Sequence, residues 1–392
     1  MICRLIFFMI FYELPYLSTS TVKDSNAYDV YLIRQESPLE YFMIENANTN
    51  INKHKLTNEN ITLFKHLDSE YYAEILVGKP GQKFRVIFET AWGDMWIPSK
   101  LCSKTLSPLC ISKNLYDSNI SSTHKSIDPA PYEAMGLSGN LTCDTVRLAH
   151  MNVSDLVFAE IKEIPNTEEF QNMYADGIIG LGYQSLSKID SDPFFYKLLG
   201  DKKILNPIFS VYLNRDVNTN KGGTIFLGGV SKKHIDGEIT YIPVTSKNYW
   251  QIEMNQFSVQ LNKTNAKTFC NPTCQAILST GSNKIGVPKE HVAAINTLID
   301  AEEYFNNRYV VSCLQVNKLP TITLNFGGRD FHISGRHYIQ KIDNETNGLI
   351  CMSVFCDSNL PGGLWSLGGG FLSSVYTTFD LENNEVGFAK LK

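Results

Sequence analysis

Long apolar runs are missing from this chain. Beyond its first dozen residues no stretch reaches the ~18 consecutive apolar residues that a membrane helix requires. Basic clusters are missing too. The net charge is −5, the isoelectric point is about 5.9 and no dense Lys/Arg run occurs. Nucleic acid is therefore excluded as a partner, because phosphate recognition needs clustered positive charge. Charged residues make up only 19% of the chain against 43% hydrophobic, which excludes a disordered protein. Paired metal ligands are also absent: Cys270 and Cys274 have no second Cys/His pair at ligand spacing, so no metal and no cofactor is implied.

What is present begins with an address. Arg4 precedes an apolar core, Leu5 to Tyr12, too short to span a bilayer, and small residues Ser18 to Ser20 follow. Residues 1–20 read as a secretory signal peptide, with Glu13 as an irregularity that leaves an uncleaved anchor as the minor alternative. Behind it stand Asn-x-Ser/Thr sequons at Asn60, Asn119, Asn140, Asn152, Asn262 and Asn344, none with Pro in the middle, as expected of an exported glycoprotein. With Cys3 lost in the signal, Cys102, Cys110, Cys143, Cys270, Cys274, Cys313, Cys351 and Cys356 remain, an even number that points to disulfides in an oxidising compartment. No membrane association is expected once the signal is removed.

Two turns organise the rest. Val86-Ile87-Phe88 runs into Glu89-Thr90-Ala91, and Ala276-Ile277-Leu278 runs into Ser279-Thr280-Gly281. A short buried strand that ends in a polar residue, a threonine and a small residue marks a site. Two of them half a chain apart suggest two similar lobes facing each other across a cleft.

In this pattern the chain resembles the pepsin and cathepsin D family of aspartic peptidases, in which each lobe supplies an Asp-Thr-Gly turn. Matches continue through Trp96-Ile97-Pro98, Asp176-Gly177-Ile178-Ile179-Gly180-Leu181-Gly182, Leu364 to Phe371 and Phe379 to Ala389, so the resemblance covers about residues 63–392. It implies an all-β, bilobal fold with a central cleft and a few short helices. Residues 21–65, polar and Asn-rich, take the place of a propeptide, although acidic residues outnumber basic ones there; a plain linker is the equal alternative. The N-terminal lobe is expected over 66–240, the C-terminal lobe over 241–392, and the chain is expected to be monomeric. The resemblance also implies the disulfides Cys102–Cys110, Cys270–Cys274 and Cys313–Cys351, and leaves Cys143 and Cys356 either paired or free. Residues 132–146 correspond to the flap, a hairpin over the bound peptide, with Tyr132 at the flap tyrosine and Glu133, Ala134 and Met135 crowding a tip that favours glycine.

The catalytic positions depart from the family. Glu89 and Ser279 stand where the two aspartates belong, and Gly369 replaces a third aspartate. Hydrolysis of this type needs two carboxylates close enough to share one proton, one as base and the other as acid. Glu89 keeps an acid but shifts its head group by roughly 1–1.5 Å, one bond's projection. Ser279 does not ionise near neutral pH. The expected outcome is a pseudoprotease whose cleft, lined by Thr90, Trp92, Tyr132, Thr280 and Gly281, binds a peptide or protein. A residual, acid-dependent endopeptidase using Glu89 and water is the rival, and a structural or decoy glycoprotein is the third reading. For single residues the plainer alternatives stay open: Glu89 satisfied by backbone N–H groups, Ser279 as a small filler, Tyr132 and Trp96 as packing aromatics, Trp92 as core plug or peptide platform, and Lys284 reaching solvent. The resemblance also implies that Thr90 and Thr280 hydrogen-bond across the lobe interface to opposing backbone, a structural job.

Overall fold

The computed structural model describes residues 59–392, apart from 67–69, 103–106, 128–129, 217–218, 220, 263, 306 and 345–347. The signal segment and most of the propeptide-like stretch lie outside these residues. The end of that stretch corrects the sequence reading. Glu59–His66 is a β-strand paired with Lys221–Leu227, with Ile61 and Leu63 buried between exposed Asn60 and Thr62. This period-two alternation is a strand signal that the surrounding asparagines obscure.

That strand belongs to an antiparallel platform shared by both halves of the chain, and its end also pairs with Glu70–Val77. The order is Glu59–His66, Lys221–Leu227, Ile208–Leu213, Val375–Asp380, Glu385–Leu391 and Ile235–Ser246. The last strand crosses the expected boundary near Thr240 without a break: Ile242 pairs with Val386 in the platform, and Val244 pairs with Ile252 in the C-terminal lobe.

Each lobe repeats one motif. In the first, Gln82–Glu89 runs parallel to Gly177–Gly180, which also pairs antiparallel with Met95–Pro98. In the second, Cys274–Leu278 runs parallel to Trp365–Leu367, which also pairs antiparallel with Ile285–Val287. The returning strand thus threads between the two arms of a turn, and this leaves no room for a side chain at its end. A Cβ on Gly180 would lie 2.5 Å from the Trp92 carbonyl oxygen, and one on Gly368 would lie 2.2 Å from that of Ser282. The glycines of both central loops are required by this threading.

Strand faces are packed with Val86, Phe88, Ile97 and Ile179 in one lobe and with Ala276, Leu278, Ile285 and Leu367 in the other, all buried. The apolar spacing and the prolines at Pro193 and Pro288 predict short helices from there through Leu199 and Ala301, the first capped by Asp192; both form, each about one residue late. Phe194–Gly200 and Lys289–Leu298 take Pro193 and Pro288 as caps, and Asp192 makes no cap of the first. Val292, Ile295 and Ile299 are buried on one face, as an amphipathic helix requires. Three disulfides form, Cys102–Cys110, Cys270–Cys274 and Cys313–Cys351. Cys143 and Cys356 are free thiols on opposite lobes.

Candidate active site

The two turns meet through their threonines. Thr90 donates its hydroxyl to the Leu278 carbonyl at 2.7 Å, and Thr280 donates to the Phe88 carbonyl at 2.5 Å. Each hydroxyl also accepts the other threonine's backbone N–H, at 3.1 and 3.2 Å. Both side chains are buried. This closed square of hydrogen bonds joins the lobes at one point and satisfies four backbone groups that would otherwise be orphaned. Thr90 and Thr280 are buried and spend their hydroxyls on this knot, the structural job that the resemblance implies for them, and leave little surface to line a cleft.

Glu89 stands immediately beside this knot, and its longer side chain matters. Oε1 accepts the Ala91 N–H at 2.7 Å on its own turn. Oε2 reaches the opposite turn, accepting the Gly281 N–H at 3.0 Å and the Ser279 hydroxyl at 2.8 Å. One carboxylate therefore takes the N–H donors of both lobes. Gly281 permits this approach, since a Cβ there would lie 2.6 Å from Oε2. Burial pushes the Glu89 carboxyl above its ordinary range, against the opposing pull of the Ala91 N–H, the Ser279 hydroxyl and the Gly281 N–H.

A pH dependence follows from this shift. Glu89 holds its proton more tightly folded than unfolded, so its contribution to stability is full below about pH 4.5, its ordinary value, and is lost as pH rises through the folded value. Glu89→Gln does not titrate. The melting temperature of the parent minus that of Glu89→Gln is therefore expected to be most favourable to the parent at acid pH and to decline toward neutrality. A difference that is flat, or that rises with pH, contradicts the assignment.

The flap forms as a hairpin of Pro131–Ala134 and Leu137–Leu148. Its tip is Met135-Gly136, with φ of 50° and 80°, and Met135 is 77% exposed. The tip side chain thus stands in solvent where crowding of the cleft was expected. Of the two readings of Tyr132, ligand contact and packing aromatic, the structure favours packing. It is 2% exposed, and its hydroxyl donates to Asp94 Oδ2 at 2.9 Å, so it belongs to the core of the N-terminal lobe. The reason is Asp94, a buried carboxylate that also accepts the Ser187 hydroxyl at 2.5 Å and the Lys188 N–H at 3.0 Å. Asp94 was not singled out by sequence. Its signal was a charge within Trp92-Gly93-Asp94-Met95-Trp96, where the neighbours are apolar. Trp92 is half-buried, packed on the cluster that holds Tyr132 and Trp96. Lys284 is exposed.

Comparison with known proteins matches this architecture. A profile of the eukaryotic aspartyl proteases fits residues 70–391. The chain belongs to the eukaryotic aspartyl protease family. It is 36% identical to cathepsin D of Gallus gallus over 334 residues, covering 84% of this chain and 82% of that protein. It is 36% identical to cathepsin D of Mus musculus over 343 residues, covering 83% and 82%, and 33% identical to cathepsin E-B of Xenopus laevis over 333 residues, covering 83% and 81%. In this aspartyl protease chain the fold, the crossed turns and the threonine knot are all present, with a glutamate and a serine between them. Among the described residues no cluster could hold a metal ion, and no helix is long and apolar enough to cross a membrane.

Proposed function

We propose that this chain is an exported, glycosylated aspartyl protease homologue that binds a peptide or protein between its lobes without cutting it. The observation that carries the reading is the position of Glu89. One carboxylate accepts from both turns and from Ser279, so the two acids that must trade a proton are reduced to one. Ser279 lacks the histidine that a serine nucleophile ordinarily uses: its hydroxyl donates to Glu89 instead. Exposure of Asn60, Asn119, Asn152 and Asn262 supports glycosylation, with Asn140 half-buried; the Asn344 side chain lies outside the described residues.

A second reading, a slow acid peptidase, draws on one observation. Burial raises the Glu89 carboxyl, so at low pH it keeps a proton to donate to a scissile carbonyl and, in its ionised fraction, can accept one from water. Digestion of a denatured protein at acid pH, followed by mass spectrometry with and without pepstatin, separates the two. The expected result is an intact substrate. Pepstatin-sensitive cleavage at the rate of an ordinary aspartic peptidase overturns the first reading, and weak cleavage lost in Glu89→Gln establishes the second.

A further inference from the structure

The short helix Glu168–Gln171 follows the long strand that backs the flap. Pro165, just before it, lies against the flap-tip Gly136, and Phe170 packs edge-on to Trp96 with ring centroids 5.9 Å apart. The helix is therefore fixed to the N-terminal lobe beside the flap. Its first acid nevertheless engages the other lobe. The Glu168 carboxylate pairs with the guanidinium of Arg308, on the C-terminal strand Arg308–Val311. Glu169, exposed like Glu168, is held below the ordinary carboxyl range by its own backbone N–H and the Thr167 hydroxyl, and Lys284 adds to the effect.

Lys284 and Arg308 lie on one wall: the strand Arg308–Val311 pairs with Gly348–Ser353, and Ile285–Val287, which follows Lys284 directly, pairs with the next strand, Phe355–Asp357. Burial pushes the Cys356 thiol up, and both cations act on it in the opposite direction, in keeping with that placement. Lys284 lies directly beyond the Ser279-Thr280-Gly281 turn, and its carbonyl accepts the Gly368 N–H at 2.9 Å. Two cations thus stand on one wall of the C-terminal lobe, Lys284 next to the turn, and a carboxylate from the opposite lobe meets Arg308.

We propose that Arg308 and Lys284 form a carboxylate subsite that the chain fills with its own Glu168 and Glu169, and that the cleft's ligand is an acidic peptide whose side chains displace them. This rests on the reading that the cleft binds peptide. Exposed ion pairs contribute little, so an incoming carboxylate exchanges with a tethered one at small cost. A neutral ligand would leave the cations unpaired, and a basic one would be repelled, so charge sets selectivity more than strength.

The test is fluorescence anisotropy of tetramethylrhodamine-labelled hexaglutamate against hexalysine and an uncharged Gly-Ser hexapeptide, at low salt. The parent is expected to favour hexaglutamate over the uncharged peptide by about tenfold. Glu168→Gln/Glu169→Gln, which empties the subsite, should raise hexaglutamate affinity further, and Lys284→Gln/Arg308→Gln should abolish the preference. Melting temperatures check that the variants remain folded. Equal binding of charged and uncharged peptides, or a preference that survives Lys284→Gln/Arg308→Gln, overturns the proposal and leaves cleft binding standing. If no peptide binds any of these proteins, both readings fall.

Discussion

Glu89→Asp/Ser279→Asp is expected to cleave peptides at acid pH about 10²–10⁴-fold faster than the parent, the range that positioned acid–base groups supply. The receiving groups are already in place. Shortening residue 89 withdraws its carboxyl from the opposite turn and leaves the Ala91 N–H for it, and the Gly281 N–H becomes available to the new aspartate. Two such acids, side by side, cannot both ionise and must share a proton. Either substitution alone is expected to fail: Glu89→Asp still faces a hydroxyl, and Ser279→Asp meets a glutamate carboxylate where Ser279 now donates. Peptide cleavage at acid pH by the three variants checks this. A folded double variant that stays inert transfers the obstruction to half-buried Trp92 and the Tyr132–Asp94 bond, and the loss of the pair is then not what silences the site.

Arg85→Met is expected to cost about 3–5 kcal/mol of folding stability, the typical effect of stripping a buried charge of its partner. Asp176 is fully buried at the start of the returning strand. Its carboxylate accepts Arg85 Nε at 3.2 Å and Nη2 at 2.8 Å, the Arg85 N–H at 2.8 Å, and the Asn114 backbone and side-chain N–H groups at 2.9 Å. The methionine removes the two charged bonds and leaves the carboxylate in place. Adding Asp176→Asn removes the uncompensated charge and should recover part of the loss, a non-additivity expected of residues in contact. Urea denaturation of the three variants measures it. A loss near 1 kcal/mol for Arg85→Met, or additivity in the double variant, contradicts the assignment.

Much of the frame was legible because its signals are local. A threaded turn needs glycine at a fixed place, and Gly180, Gly182 and Gly368 announce it without any knowledge of their partners. Buried strands such as Val86-Ile87-Phe88 need uninterrupted apolar residues, and disulfide loops need paired cysteines. The strand Glu59–His66 escaped because only Ile61 and Leu63 carry its buried face, amid asparagines that read as linker. Long-range hydrogen bonds were less legible. Nothing in the sequence near Glu89 says that its carboxylate crosses to Gly281, 192 residues away. The place of Tyr132 in the flap leaves it open between cleft and core, and Asp94, 38 residues earlier, decides for the core by claiming its hydroxyl. The Glu168–Arg308 pair likewise joins two segments that have no sequence feature in common.

The most direct test of the single bridging carboxylate is calorimetric titration with pepstatin, a peptide whose hydroxyl mimics the attacked, tetrahedral carbon and depends on an acid pair to hold it. Transition-state mimics bind functional sites at least ~10²-fold more tightly than comparable ground-state peptides. With Glu89 already satisfied by Ala91, Gly281 and Ser279, the parent should bind pepstatin no more tightly than the same peptide without the hydroxyl, and Glu89→Asp/Ser279→Asp should bind it far more tightly. A hundredfold preference for the hydroxyl-bearing peptide in the parent itself would mean that a working acid pair survives there, and would contradict the account.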